Sequence, residues 1–176
     1  MIRLRLLFVC VIPFALLSVV HDSQTIRVLL DHAACDVCII CDLDNTLVRP
    51  VGILGSDEWF SDFLTHDDSQ IFSEHLRRLV HFFEAVHHRV PLVRLEEDTP
   101  DVLLLCADQG ARIIAMTARS SRLQERTAQQ LRALSIDFSP LSQLLDQDLG
   151  NDKSVYAGIV FCNGGNKAEM FKRLVD

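Results

Sequence analysis

The chain has 176 residues, of which 49% are hydrophobic and 23% charged, and its formal net charge is −7. A chain of this length buries one sizeable core, so we expect a single domain with small appendages. The negative charge and the scattered basic residues exclude nucleic acid as an expected partner, because no basic stripe attracts the phosphate backbone. Global charge decides little for small phosphorylated ligands, since a metal ion and a few donors dominate such a site.

Residues 1–20 differ in composition from the rest of the chain. A short basic head with two arginines precedes an apolar stretch over residues 6–20. This pattern predicts a secretory signal peptide, and therefore export to the periplasm or beyond the cell. The stretch is too short for a comfortable membrane span. An uncleaved signal that anchors residues 21–176 to a membrane stays open as an alternative.

The six cysteines do not suggest a disulfide framework. Cys38, Cys41, Cys106 and Cys162 lie in or beside apolar runs, where free thiols pack as small hydrophobic side chains. The spacing from Cys35 to Cys41 resembles a metal cluster. It falls on a predicted strand, however, where side chains three apart point to opposite faces. We therefore expect free thiols here.

Apolar runs and helical periodicity alternate along the chain. In chain order the sequence predicts a helix within residues 21–34, a buried strand over 37–41, helical structure over 57–93, a helix over 101–109, a strand over 112–116, a helix over 121–135, a strand over 157–161 and a helix over 168–175. Continuous apolar strands of this kind are typical of parallel sheets. The alternation predicts an α/β fold with right-handed crossovers.

Polar residues follow each of the three predicted strands. Asp42 and Asp44 follow the first, Thr117 ends the second, and Lys167 lies beyond the turn after the third. Each has an ordinary structural explanation as a turn former, a helix cap or an exposed helix residue. The carboxyl ends of parallel strands meet at one edge of a sheet, however. Phosphoryl transfer needs a nucleophile, a proton donor and fixed positive charge, and this set contains all three.

The same residues resemble the motifs of the haloacid dehalogenase superfamily. The first motif corresponds to the segment Asp42-Leu43-Asp44-Asn45-Thr46, the second to Met116-Thr117-Ala118-Arg119, and the third to Lys167. More narrowly, residues 36–176 resemble an uncharacterised bacterial family of secreted haloacid-dehalogenase-like proteins, which is known only as a domain of unknown function.

The resemblance implies a three-layer Rossmann-like core with a small helical cap inserted at about residues 53–95. It implies that Asp42 is the nucleophile that forms an aspartyl-phosphate and that Asp44 is the general acid and base. Thr117 and Lys167 would hold the phosphoryl oxygens, and Mg²⁺ would bind an oxygen of Asp42 and the backbone carbonyl of Asp44. The expected contacts to a small phosphorylated substrate are Thr46, Ala118, Arg119 and Asn166. For Arg119, capping of the following loop is an equal alternative.

The superfamily's fourth motif, a strand that ends in paired acidic residues and completes the Mg²⁺ shell, is expected after the Lys167 helix. The sequence shows no such strand, so the resemblance implies a chain truncated before this motif, with an open apolar edge on the strand over 37–41. Asp146, Asp148 and Asp152 are an alternative source of acids. Two functions follow: a Mg²⁺-dependent phosphomonoester hydrolase, and a catalytically impaired exported protein with a binding role.

The predicted helical insertion carries aromatic and histidine side chains. Trp59 and Phe60 either pack the inserted helices or line a lid over the substrate, and core packing is favoured. His81, His87 and His88 are not spaced with further ligands, so we expect a solvated helix face instead of a metal site.

Overall fold

The fold combines a five-stranded sheet, a two-stranded sheet and helices. The computed structural model describes residues 9–10, 25–35, 37–65, 72–142 and 154–175. The strands are β1 (Val9–Cys10), β2 (Cys38–Cys41), β3 (Val48–Pro50), β4 (Leu92–Arg94), β5 (Arg112–Thr117), β6 (Val155–Tyr156) and β7 (Ile159–Phe161). The α-helices are α1 (Asp57–Thr65), α2 (Phe72–His87), α3 (Thr99–Asp108), α4 (Gln124–Arg132) and α5 (Lys167–Val175), and 3₁₀ helices span Ile26–Asp31 and Ser121–Leu123.

The large sheet is mostly parallel. Its strand order is β1-β2-β5-β7-β6, in which β2, β5 and β7 run parallel and the two outer strands run antiparallel. Ile39 pairs with Ile113, and Thr117 pairs with Phe161. The carboxyl ends of the three central strands therefore lie side by side at one edge of the sheet, as predicted.

Two apolar clusters cover the two faces of the sheet, because successive strand residues point to opposite sides. On one face, Ile39 and Ile113 join a large cluster with α3, α4 and the first 3₁₀ helix. On the other, Ile40 and Ile114 pack in a smaller cluster against Phe171 and its neighbours on α5. The described chain is thus an α/β fold with helices on both faces of the sheet, as the sequence predicted.

The edge of β2 that was predicted to be open is paired with another strand. Val9 lies opposite Ile39 and Cys10 opposite Cys38, in an antiparallel ladder. The expectation of an open edge is therefore wrong at these positions, because residues far upstream supply the hydrogen-bonding groups. The strand lies within residues 1–20, whose role as an export signal stays a prediction.

The helices of the insertion lie between the two strands of the small sheet. Val48 pairs with Arg94, and Pro50 pairs with Leu92, so β3 and β4 close the base of the segment that carries α1 and α2. The prediction of helix as far as residue 93 is wrong for β4. Pro91 breaks the helical pattern, and the partner strand is too distant in sequence for local periodicity to indicate it.

The predicted helix within residues 21–34 is a 3₁₀ helix over Ile26–Asp31, and residues 21–24 lie outside the described part. The buried side chains Ile26 and Leu29 are three residues apart, which aligns them in a 3₁₀ helix. The helices α3, α4 and α5 confirm the later predictions with shifted ends. None of the helices in the described part is long and apolar enough to cross a membrane.

A two-residue turn joins β6 to β7 and corrects the predicted strand over 157–161. Ala157 and Gly158 have φ values of 51° and 74°, the left-handed conformation of a tight hairpin turn. A Cβ atom on Gly158 would lie 2.4 Å from the carbonyl oxygen of Phe138. Only glycine therefore fits this turn beneath the neighbouring loop.

We expect Gly158→Ala to lower the free energy of unfolding by about 3 kcal/mol, because backbone strain adds to a clash with backbone atoms. Gly164→Ala is the matched control, since Gly164 has the same φ of 74° but its added Cβ atom would meet nothing within 4 Å. That variant should lose about 1 kcal/mol. Urea unfolding measures both losses, and equal losses would contradict the close approach at Gly158.

Candidate active site

A tight turn after β2 presents the two predicted carboxylates. The carbonyl oxygen of Leu43 accepts hydrogen bonds from the backbone N–H groups of Thr46, Leu47 and Val48, at 3.3, 3.0 and 3.0 Å. Asn45 has a φ of 57°, which asparagine tolerates better than most residues. Leu43 and Leu47 are fully buried and anchor the turn. Thr46, a predicted substrate contact, lies within this turn and does not line the cavity described below.

Asp42 pairs with the lysine at the start of α5. The Nζ atom of Lys167 lies 2.6 Å from Oδ2 of Asp42, and the backbone N–H of Leu43 donates to Oδ1 at 2.8 Å. Burial raises the pKa of Asp42 above its ordinary value, although the charge and hydrogen bond of Lys167 act in the opposite direction. The structure thus joins the residues predicted as nucleophile and phosphoryl-binding cation.

Asp44 forms a bidentate ion pair with Arg119. Nε of Arg119 donates to Oδ2 at 2.9 Å, and Nη2 donates to Oδ1 at 2.7 Å. The side chain of Arg119 is 2% exposed and that of Asp44 21% exposed. Burial acts to raise the pKa of Asp44, but the charge and hydrogen bonds of Arg119 outweigh it and hold the pKa below its usual range. Asp44 is therefore a charged hydrogen-bond acceptor in this arrangement.

Thr117 and Asn166 make structural contacts. The hydroxyl of Thr117 is fully buried, accepts from the backbone N–H of Arg119 at 3.1 Å and donates to Oδ2 of Asp44 at 3.5 Å. The side-chain oxygen of Asn166 accepts from the backbone N–H of Ala168 at 2.8 Å, as a cap of α5. Ala118 lines the cavity beside Arg119.

Hydrogen bonds link Arg119 to the inserted helices. Nη1 of Arg119 donates to Thr127 at 3.2 Å and to Oε1 of Gln130 at 3.4 Å. The amide nitrogen of Gln130 donates to the carbonyl oxygens of His87 and Val90, at 3.1 and 2.8 Å. A continuous chain of contacts therefore runs from the Asp44 carboxylate to the end of α2. Local sequence patterns do not predict that Arg119 pairs with an acid at the end of a neighbouring strand.

His87 is buried, which corrects the prediction of a solvated face at this residue, whereas His81 and His88 are exposed as predicted. Its side chain donates from Nε2 to the carbonyl oxygen of Gly55 at 3.0 Å, and the residue is 1% exposed. Nδ1 has no hydrogen-bond partner among the described residues, so a proton there would be unsatisfied. Burial lowers the pKa of His87 to about 4, and the positive charge of Arg119 acts in the same direction.

A cavity of about 630 Å³ opens above the strand ends. Its lining includes the two ion pairs described above, together with side chains of α1 and α2. Among its lining residues are three carboxylates and three cations: Asp42, Asp44, Glu84, Arg119, Arg122 and Lys167. Each cation lies near one carboxylate, with the outer pair, Arg122 and Glu84, at 3.7 Å.

The oxygen donors fit what Mg²⁺ requires from a protein. This ion commonly takes one or two carboxylates, together with substrate phosphate oxygens and waters. Asp42 and Asp44 both line the cavity and can supply such donors. In the described part of the chain, no three His, Cys, Asp or Glu side chains gather in a group suited to a metal. The alternative acids Asp146, Asp148 and Asp152 lie outside the described residues.

Cys35, Cys41, Cys106 and Cys162 are free thiols, as expected. Cys41, Cys106 and Cys162 are buried, and burial raises the pKa of Cys106 to about 11. Burial also raises the pKa of the Cys41 thiol. Such thiols stay protonated at neutral pH and pack as apolar groups.

Together the fold and the cavity define an α/β protein with a polar site at the carboxyl ends of a mostly parallel sheet. The chain belongs to the family described as "Protein of unknown function (DUF2608)", whose model matches residues 20–176. This agrees with the predicted resemblance to an uncharacterised family. No curated protein and no solved structure matches the chain.

We expect Arg119→Met to lower the free energy of unfolding by about 3 kcal/mol, because it leaves the Asp44 carboxylate without its partner. The double variant Asp44→Asn/Arg119→Met should lose less than the sum of the two single variants. Arg132→Met is the control, since the pair of Arg132 with Asp137 is exposed and worth at most about 1 kcal/mol. Additive losses in urea unfolding would contradict the coupling.

We expect the free energy of unfolding to fall between about pH 6.5 and about pH 4 because of His87. The unfolded histidine takes up a proton near pH 6.5, whereas the folded one stays neutral down to about 4, so acid favours the unfolded state. The contribution is about 3 kcal/mol. His87→Gln should flatten this part of the pH profile, and the exposed neighbour variant His88→Gln should not. Identical profiles for His87→Gln and the unsubstituted protein would refute the assignment.

Proposed function

We propose that this protein is a haloacid-dehalogenase-type hydrolase that cleaves small phosphomonoesters through an aspartyl-phosphate on Asp42, with Mg²⁺ as its cofactor. One observation carries the proposal: the Asp42 carboxylate lines the cavity, 2.6 Å from Lys167, with a second carboxylate two residues further on. This set supplies a nucleophile, a cation for phosphoryl oxygens and an acid–base group.

In the first half of the reaction, an oxygen of Asp42 attacks the phosphorus atom and forms the Asp42–phosphoryl bond. The bond from phosphorus to the ester oxygen breaks, and the leaving oxygen takes a proton from Asp44. Lys167 lies close enough to Asp42 to offset repulsion between the carboxylate and the incoming phosphate.

In the second half, a water molecule attacks the phosphorus atom and gives its proton to Asp44. The Asp42–phosphoryl bond breaks, which releases inorganic phosphate and restores the carboxylate. The ion pair with Arg119 keeps Asp44 charged and oriented, which suits this proton-accepting role. The first half needs the protonated form of Asp44, in competition with Arg119.

The charge balance of the cavity supports a requirement for a divalent cation. Each lining cation lies near a carboxylate, so a phosphate dianion adds negative charge that this lining does not offset. Mg²⁺ held by an oxygen of Asp42 and the backbone carbonyl of Asp44 would supply positive charge to the phosphoryl oxygens.

We expect hydrolysis of p-nitrophenyl phosphate in the presence of Mg²⁺, with kcat reduced on the order of 10³-fold in Asp42→Asn. Lys167→Met should reduce kcat/KM about 100-fold, because the phosphoryl group loses a fixed cation. Lys172→Met is the control on the exposed side of the same helix and should be unaffected. Equal rates for Asp42→Asn and the unsubstituted protein would refute the proposal.

A further inference from the structure

We propose that the substrates are aryl phosphomonoesters, whose aromatic leaving group binds against Phe60 and Phe83. This inference rests on the proposed function and specifies its substrate class. It comes from the aromatic side chains of α1 and α2 that line the cavity, which the proposed chemistry leaves without a role.

The two phenylalanines belong to the same cavity as the nucleophile. Phe60 of α1 and Phe83 of α2 line it together with Asp42 and Lys167, and both rings are only half-buried. Val80, one helical turn before Phe83, adds an apolar side chain to the same lining. The cavity that contains Asp42 therefore also offers an apolar surface, beside the polar side chains of His81 and Glu84.

Neighbouring rings hold these aromatic side chains in place. The ring centroids of Phe60 and Phe83 are 5.1 Å apart in an edge-to-face arrangement, and Trp59 lies nearly parallel to Phe83 at 6.4 Å. The imidazole of His87 lies 4.2 Å from the Phe83 ring. Aromatic rings prefer such offset and edge contacts, and a preformed surface binds a further ring without an ordering cost.

The charges around Glu84 do not favour an acidic leaving group. Glu84 lies 3.5 Å from Nδ1 of His81 and 3.7 Å from Nη1 of Arg122, so these basic side chains share a carboxylate. A leaving group with a second phosphate or a carboxylate would compete with Glu84 for them. An uncharged aromatic leaving group avoids this competition and can pack its ring against Phe60 and Phe83.

Titration calorimetry of the full chain with Mg²⁺ tests the inference by comparing the binding of phenylphosphonate and methylphosphonate. The carbon–phosphorus bond of these ligands is not hydrolysed, so their affinities can be measured at equilibrium. We expect phenylphosphonate to bind at least about tenfold more tightly. Phe83→Ala should weaken phenylphosphonate about tenfold and change methylphosphonate less than about twofold. Phe83→Leu keeps apolar volume without a ring, so its affinity for phenylphosphonate should lie between those of Phe83→Ala and the unsubstituted protein.

Phe82→Ala is the matched control. Phe82 is the adjacent aromatic residue on α2, is 49% exposed and does not line the cavity. Its removal should leave the affinities for both phosphonates unchanged. Circular dichroism confirms that each variant is folded before its affinity is compared.

Three results overturn the inference: equal affinity for the two phosphonates, an equal loss of both in Phe83→Ala, or no binding of either. If any one of them occurs while Asp42→Asn still abolishes hydrolysis, the substrate class is wrong and the proposed hydrolase stands. If ring-dependent binding is found but hydrolysis does not depend on Asp42, the cavity binds aryl phosphates and the hydrolase mechanism is wrong.

Discussion

The buried ion pair between Asp44 and Arg119 is the interaction on which the arrangement of the site depends. It joins the turn after β2 to the end of β5, and through Gln130 it reaches the end of α2. The Arg119 side chain is 2% exposed, so removing Asp44 would leave a buried cation without its partner. The pair therefore fixes the second carboxylate relative to the first and links the strand ends to the end of α2.

The cavity combines charged groups with apolar surface. At the strand ends, carboxylates are in contact with cations, which makes clustering of like charges tolerable. The helices α1 and α2, which β3 and β4 join to the core, contribute the rings of Phe60 and Phe83 beside the charged Glu84. In the two proposals, the groups at the strand ends act on the phosphoryl group and the rings bind the leaving group. The hydrogen bonds from Asp44 through Arg119 and Gln130 then connect the reacting groups to α2, which carries Phe83.

Local sequence patterns predicted the parts of this fold that depend on local physics. Apolar runs indicated β2, β5 and β7, and the rule that parallel strands end at one edge placed Asp42 near Lys167. Contacts between distant segments were missed. The pairing of β3 with β4, the burial of His87 under Gly55 and the partner of Arg119 depend on tertiary approach, which neither periodicity nor motif spacing reports.

The proposed function depends most directly on the phosphorylation of Asp42. Rapid acid quenching during turnover of p-nitrophenyl phosphate with Mg²⁺, followed by peptide mass spectrometry, tests it directly. We expect one added phosphoryl group on the peptide that contains Asp42, which hydroxylamine removes and which is absent from Asp42→Asn. A phosphoryl group on another residue, or hydrolysis that proceeds without any trapped on the enzyme in either protein, would contradict it.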